Sequence, residues 1–360
     1  MKIGILTFHI APNCGAALQA FALMNFLRQK GHDVSIVDYQ CPGNDDSFSP
    51  SKLFSIKNIK PTFKFIIYFI VSNLLLKKKY ILKYEAFKKF QNKNFVFVQL
   101  GKTCFDAIIC GSDQIWNPFI TNGLKKIYFG LINNENQIKK IAYAASCGDV
   151  KSLSSNDRKA LISYARQMDC VSVREKTLNI LLNTNGVKSE VVLDPTFLLT
   201  KENYVEYFCP FKSKEKDYIL VYDLRKTPII KETAKKIAKE KKLSLVYIYG
   251  YNKILPFGHN HICSAGPKEF INYIANAKYV ITDSFHGLAF SLIFEKDFSI
   301  CLPSIGAERL TSLLDSINLL NRIVYQTKKI ESSPINYEFV NFKKNSLINL
   351  SKSFIDKALM

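Results

Sequence analysis

Tryptophan appears once in the 360 residues, at Trp116, and only seven of the fifty basic residues are arginine. The nine cysteines, at 14, 41, 104, 110, 147, 170, 209, 263 and 301, are scattered. None forms a CxxC pair and none shares zinc-ligand spacing with a histidine, which excludes a zinc module and a dithiol redox centre. An odd, dispersed set in a large chain fits free thiols in a reducing compartment. The first strand-to-helix turn has no GxGxxG pattern and no P-loop follows it, which argues against a dinucleotide or Walker-type site. No Ser-His-Asp order, metal motif or nucleic-acid module stands out. Lys2 is followed at once by Ile3-Gly4-Ile5-Leu6, a strand pattern rather than an apolar export core, so the chain is expected in the cytoplasm.

Acids are the other shortage. Thirty Asp and Glu face fifty Lys and Arg, a net charge of +20, which points to an anionic partner. The surplus is local: residues 51–100 hold eleven lysines and one acid, Glu85. Within that stretch Phe63 to Leu76 is intensely apolar. Its fourteen residues make about 21 Å of helix, short of the roughly 20 residues that span a bilayer. Two readings stay open: a core helix with a lysine-rich solvent edge, or an interfacial helix whose residues 63–89 lie on the anionic inner face of a membrane. Aromatic residues are interleaved with these lysines but lie in the apolar run, so nucleic acid is not expected as a partner.

The length favours two domains. Residues 2–8, 16–30 and 34–39 read as strand, helix and strand, a βαβ unit that implies a parallel sheet. Strands follow at 105–110, 141–146, 170–173 and 190–193, with a helix at 156–167. A second alternating run begins near 217: strands at 218–223, 244–249, 279–282 and 298–302, helices at 228–241, 267–276, 287–295 and 307–317. The expected fold is α/β, two Rossmann-like doubly wound domains facing a cleft. The first spans 1–200 with an insert at 48–95, a linker covers 201–216, and the second spans 217–343. Residues 344–360 form an amphipathic helix with Leu347, Leu350, Phe354 and Ile355 on one side. Ligands of doubly wound sheets bind at the carboxyl ends of the strands, so the cleft suits a two-substrate transfer.

The candidate residues sit at those ends. Thr282-Asp283-Ser284-Phe285-His286-Gly287 closes a strand and opens a helix, where backbone N–H groups and the helix dipole favour an anion. There His286 suits a phosphate donor or general acid, with Ser284 beside it and Gly287 leaving the backbone open to a ligand. The same motif also reads as a helix cap. Ser112-Asp113-Gln114-Ile115-Trp116-Asn117 suits sugar hydroxyls, Trp116 stacking on the ring while its polar neighbours exchange hydrogen bonds. His9, Asn13 and Gly15 follow the first strand and are expected near the acceptor or the other domain. Arg174, Arg225 and Arg309, each near a strand end or a helix start, suit bidentate binding of a carboxylate or phosphate. Asp194 reads chiefly as a turn former ahead of Pro195.

Taken as an ordered series, these pieces resemble the polysaccharide pyruvyl transferase family. The matching segments are Gly4 to Thr7 with Asn13 to Leu23, Phe105 to Pro118, Ala142 to Ser146, Val171 to Glu175, Val192 to Thr196, Thr282 to Phe290, and Arg309-Leu310 with Leu313-Leu314. The resemblance implies a fold like that of the B-type glycosyltransferases. It also implies transfer of pyruvate from phosphoenolpyruvate to a sugar in cell-surface polysaccharide biosynthesis, with no resident metal or cofactor. The acceptor is then a sugar or lipid-linked oligosaccharide. His286 falls on the family's histidine, Arg174 becomes a candidate for the donor's charged groups, and Asp113 one for orienting or deprotonating the acceptor. Several members carry arginine where this chain has Ser284, leaving Arg309 or Arg225 to supply that charge. The alternatives are a nucleotide-sugar glycosyltransferase on the same fold and a non-catalytic, membrane-associated scaffold of a polysaccharide assembly complex.

Overall fold

The computed structural model describes residues 1–39, 63–101, 103–132, 138–208, 217–250, 261–304, 306–327 and 329–360, without the side chains of 63–77. Two all-parallel sheets organise the chain. The first comprises β1 (Lys2–Leu6), β2 (Asp33–Val37), β3 (Phe97–Val98), β4 (Ala107–Cys110), β5 (Lys139–Ala145), β6 (Cys170–Val173) and β7 (Glu190–Val191), in the order β3-β2-β1-β4-β5-β6-β7. The second comprises β8 (Tyr218–Asp223), β9 (Ser244–Tyr249), β10 (His261–Ile262), β11 (Tyr279–Thr282) and β12 (Asp297–Ile300), in the order β10-β9-β8-β11-β12. In both, the strand order reverses beside the first strand of the unit, between β1 and β4 and between β8 and β11. Those reversals open the crevices where doubly wound sheets bind ligands.

Helix α1 (Cys14–Gln29) shows why the two units form one body. It has no β-branched residue and starts on Asn13, whose Oδ1 accepts from the Gly15 and Ala16 amides at 2.9 and 3.4 Å. It is buried on nearly every side, as a helix apolar all round must be. One contiguous core runs through it, joining Ile3 and Phe21 of the first unit to Phe270, Leu288 and Phe290 of the second. Helix α2 (Phe63–Asn94) is longer than the expected apolar stretch. Its described half docks through Tyr80, Phe87 and Phe90, the core-helix reading. The membrane-facing reading rests on 63–89, whose first fifteen side chains, like all of 40–62, lie outside the described residues. Among the described residues no helix is long and apolar enough to cross a membrane.

After the short α3 (Pro118–Thr121), α4 (Ser155–Ala165) and α5 (Lys176–Thr184) flank the first sheet. Half of the expected linker is structured. Residues 201–208 form α6 (Lys201–Phe208), and its Tyr204 and Phe208 enter the core because their rings meet Phe290 and Phe21, each at 5.1 Å between centroids. Residues 209–216 lie outside the described residues. The second sheet carries α7 (Ile230–Lys241), α8 (Pro267–Asn276), α9 (Phe285–Ile293) and α10 (Glu308–Ser316).

The last helix, α11 (Tyr337–Leu359), begins about two turns before its expected start. Its opening turns pack Tyr337 and Val340 on the core and leave Phe339 and Phe342 exposed. It straps the two units together. Lys344 Nζ donates to Leu292 O at 3.0 Å in the second, the Leu193 amide donates to Ser351 Oγ at 2.9 Å in the first, and Asp356 meets Lys30 at 2.9 Å. Phe354 and Ile355 are buried and Leu347 partly so, but Leu350 is 59% exposed, a correction to the expected face. Phe354→Ala is therefore expected to cost about 3–5 kcal/mol, and Leu350→Ala less than about 0.5 kcal/mol. Denaturant midpoints of the two variants check this.

Candidate functional site

The loops at the two strand-order reversals face each other. Beside β1 and β4 lies a cavity of about 190 Å³ bordered by Phe8, His9, Asn13, Tyr39, Asp113 and Gln114. Beside β8 and β11 lies a polar one of about 40 Å³ bordered by Asp283, Ser284, His286 and Arg309. Asn13, Asp113, Gln114 and Arg225 border both, so the two form one continuous cleft.

A buried charge cluster sits at its base. Arg174, at the end of β6, donates from Nη1 to Asp194 Oδ2 at 2.5 Å and from Nη2 to Asp113 Oδ1 at 3.5 Å. Asp194 Oδ1 accepts from the amide and hydroxyl of Thr196, at 3.0 and 2.9 Å. His286, reaching in from α9, places Nε2 3.7 Å from Asp194 Oδ2, an ion-pair distance too long for a hydrogen bond. Burial alone would push the Asp194 carboxyl up. His286, Arg174 and the Thr196 amide outweigh it and hold the carboxyl well below the usual range. Burial disfavours the charged form of Arg174, but Asp194, Asp113 and Glu175 overcome that and raise its pKa.

Arg309 is the exception. It is 7% exposed, yet none of its nitrogens makes a hydrogen bond or ion pair among the described residues, and its Nε is fully enclosed. Burial, then repulsion from Arg174, lowers its pKa to about 10. It remains charged at neutral pH, a guanidinium fork with all its donors unspent. Phe285 contacts both arginines, its ring centroid 5.1 Å from the Arg174 guanidinium carbon and 5.9 Å from that of Arg309. Arg225 is exposed at the mouth.

Several expected ligand residues are spent on structure. Trp116 is fully buried: its ring stacks on Phe129 at 4.6 Å and its indole N–H donates to Tyr128 O at 2.9 Å, leaving no face for a sugar. Ser112 is enclosed, its Oγ 3.0 Å from both Ala144 O and Asp194 Oδ2. Asn117 caps α3 through the Phe119 amide at 3.0 Å and donates to Gln114 Oε1 at 2.8 Å. Ser284 caps α9, accepting from the Gly287 amide at 3.4 Å while bordering the cavity. Gly287 does not open onto a ligand, because a Cβ there would lie 2.4 Å from Thr282 Oγ1. A Cβ on Gly15 would lie 2.0 Å from His286 Nδ1, so that glycine admits the other domain's histidine rather than an acceptor. His9 borders the cleft with both ring nitrogens engaged, Nδ1 on Thr7 O and Nε2 on Asp38 Oδ1, each at 3.1 Å.

The structure also brings in residues that the sequence reading placed elsewhere. Asp194 is the hub of the cluster as well as a turn former, and its position directly after a strand was the available signal. Glu175 is fully buried, one oxygen accepting from Ser146 Oγ and the other without a partner, and burial raises its pKa. Asp283 borders the smaller cavity and anchors the loop after β8, taking the Leu224 and Arg225 amides at 2.7 and 2.9 Å. Among the described residues no three His, Cys, Asp or Glu side chains are grouped to hold a metal.

A model of the polysaccharide pyruvyl transferase family matches residues 13–301, from the Asn13 cap of α1 to just past the end of β12. The chain belongs to that family. No curated protein matches it significantly. Similar solved structures include UDP-bound MnaA of S. aureus, at 14% identity and TM-score 0.46 over 99% of this chain and 97% of that one. Another is the UDP-GlcNAc 2-epimerase of Neisseria meningitidis bound to UDP-GlcNAc, at 11% and 0.45 over 99% and 94%. The Streptomyces sp. SF2575 glycosyltransferase SsfS6 is similar at 13% and 0.37 over 100% and 96%.

Because Asp194 is charged, enclosed and shared by four groups, Asp194→Asn should cost about 3–5 kcal/mol, the usual loss when a buried pair is broken. The sign with pH follows from its lowered pKa. The carboxylate's stabilisation is complete above the ordinary carboxylate range and fades as pH falls through that range toward its lowered folded value. Melting temperatures measured from pH 7 to pH 3 should therefore converge between wild type and variant as acid is added.

Proposed function

We propose that the protein transfers the pyruvyl group of phosphoenolpyruvate to two hydroxyls of a sugar, closing a ketal and releasing phosphate. The observation that carries this reading is Arg309, a buried guanidinium with no partner among the described residues, beside His286 at the strand-order reversal of the second sheet. A planar fork with free donors matches a carboxylate or phosphate, and an enclosed site makes that match count. Arg309 supplies the charge that Ser284, used as a cap, does not. Arg225 at the mouth and the N-terminus of α9 add to the positive field.

The chemistry follows the placement of the side chains. Protonated His286 gives its proton to the methylene carbon of the enol, leaving a cation-like centre at the adjacent carbon. An acceptor hydroxyl adds there, and its proton passes to Asp113, the carboxylate that borders both halves of the cleft. The second hydroxyl displaces phosphate, which leaves with that hydroxyl's proton, and the ketal closes. Phe8, Tyr39 and Tyr128 line the larger half, where aromatic walls suit a sugar ring, with Asn13 and Gln114 at its polar edge.

Calorimetry with phosphoenolpyruvate and a panel of nucleotide sugars tests the donor. Saturable binding of phosphoenolpyruvate is expected, weakened about 10- to 100-fold by Arg309→Gln, the worth of hydrogen bonds to a charged group. Binding of a nucleotide sugar alone would overturn the reading. His286→Ala should lower turnover by ~10²–10⁴ on a verified acceptor. Near-normal turnover would remove His286 as the acid.

A further inference from the structure

Phe285 and Arg309 border a second cavity as well, distinct from the cleft in its walls and its chemistry. It measures about 210 Å³ and is predominantly apolar. Three bodies build it: Val191, Val192 and Leu193 at the end of β7, Leu313 on α10, and Leu347 on the strap helix α11. Its polar inner end is formed by Arg174 and Arg309, each with a buried Nε that has no hydrogen-bond partner. The exposed Lys176–Asp315 pair, 2.7 Å apart, joins α5 to α10 at this face of the domain junction. Exposed pairs of this kind hold weakly.

We propose that this cavity binds an aliphatic carboxylate, its headgroup on Arg309 and its chain between β7, α10 and Leu347. The anion is assigned by Arg309, nine-tenths buried and without a counter-charge in contact. The single negative charge follows from Asp194, which also borders the cavity and repels a dianion such as phosphate more strongly than a monoanion. The aliphatic body follows from the leucine and valine walls. Arg174 does not serve as the anchor, because Asp194 and Asp113 already hold its two terminal nitrogens. Since Arg309 borders both cavities, a carboxylate seated here draws on the guanidinium that an anion in the cleft requires. The two therefore compete without overlapping. The proposal needs Arg309 but not the identity of the donor, so it goes beyond the transfer reading and fails separately from it.

Calorimetry on the full chain with butyrate, hexanoate and octanoate tests it. Affinity should rise about fourfold per methylene, the value of burying one such group, until the cavity is filled. Octanamide, the neutral isostere, should bind at least tenfold more weakly than octanoate. Val191→Trp adds a ring at a half-exposed wall position and should fold as wild type does, with an unchanged melting temperature. It should weaken octanoate at least tenfold and leave phosphoenolpyruvate binding intact. Leu313→Trp, which fills the cavity from the other domain, should do the same if it melts normally. Octanoate should raise the apparent Kd for phosphoenolpyruvate. Equal binding of octanamide, no dependence on chain length, or undiminished octanoate binding to folded Val191→Trp would overturn the proposal. Octanoate binding without phosphoenolpyruvate binding would sustain it and discard the donor assignment instead.

Discussion

The Arg174–Asp194 pair is the contact on which the rest of the molecule depends. Taking two charges out of water costs several kcal/mol each, and their attraction repays that only where the remaining lone pairs and protons are also met. Asp194 meets that condition by serving four elements at once. It holds the serine of the β4 loop, the arginine at the end of β6, the turn that follows β7, and the histidine of α9 from the other domain. One carboxylate therefore sets both the internal geometry of the first domain's rim and the approach of the second. The close fit of Gly15 against the His286 ring acts in the same place. Together they fix the distance across the cleft, which is the dimension a two-substrate reaction requires.

Topology explains why the chemistry collects there. Each sheet reverses its strand order beside its own first strand, and each reversal parts the neighbouring loops. The continuous core through α1 turns the two openings toward each other. Asp113 stands at the seam, bordering both cavities with one oxygen tied to Arg174. A residue so placed touches whatever enters from either side, whereas His9, equally polar and close by, has no nitrogen left to offer.

The fold was legible because its signals are local. Alternating strands and helices declare themselves within a few residues. What was not legible depends on three-dimensional neighbours. Trp116 in a polar loop reads as a sugar platform until Phe129 and the Tyr128 carbonyl are seen to occupy it. Gly287 reads as an opening for a ligand until Thr282 fills the space. Leu350 falls on the expected apolar stripe of α11 but has nothing to pack against. His286, Asp113 and Arg309 were legible as candidates because strand ends are where this fold puts ligands. Which arginine would be spent and which left free was not, since that depends on Asp194, twenty residues from Arg174 and read chiefly as a turn former.

Arg309 makes the cost of function visible. A buried cation without a partner destabilises the fold by several kcal/mol, and neighbouring carboxylates would relieve it if its side chain reached them. It does not: Asp194 and Asp113 are committed to Arg174. Glu175, which accepts from Ser146, is itself enclosed and pushed toward its neutral form by burial. The arrangement thus puts two carboxylates in contact with Arg174 and, among the described residues, none in contact with Arg309, on which Glu175 and Asp113 act only at a distance. A protein selected for stability alone would close that pair. In the proposed reading an arriving anion supplies the missing contact, which couples ligand and fold at Arg309 rather than at the well-paired Arg174.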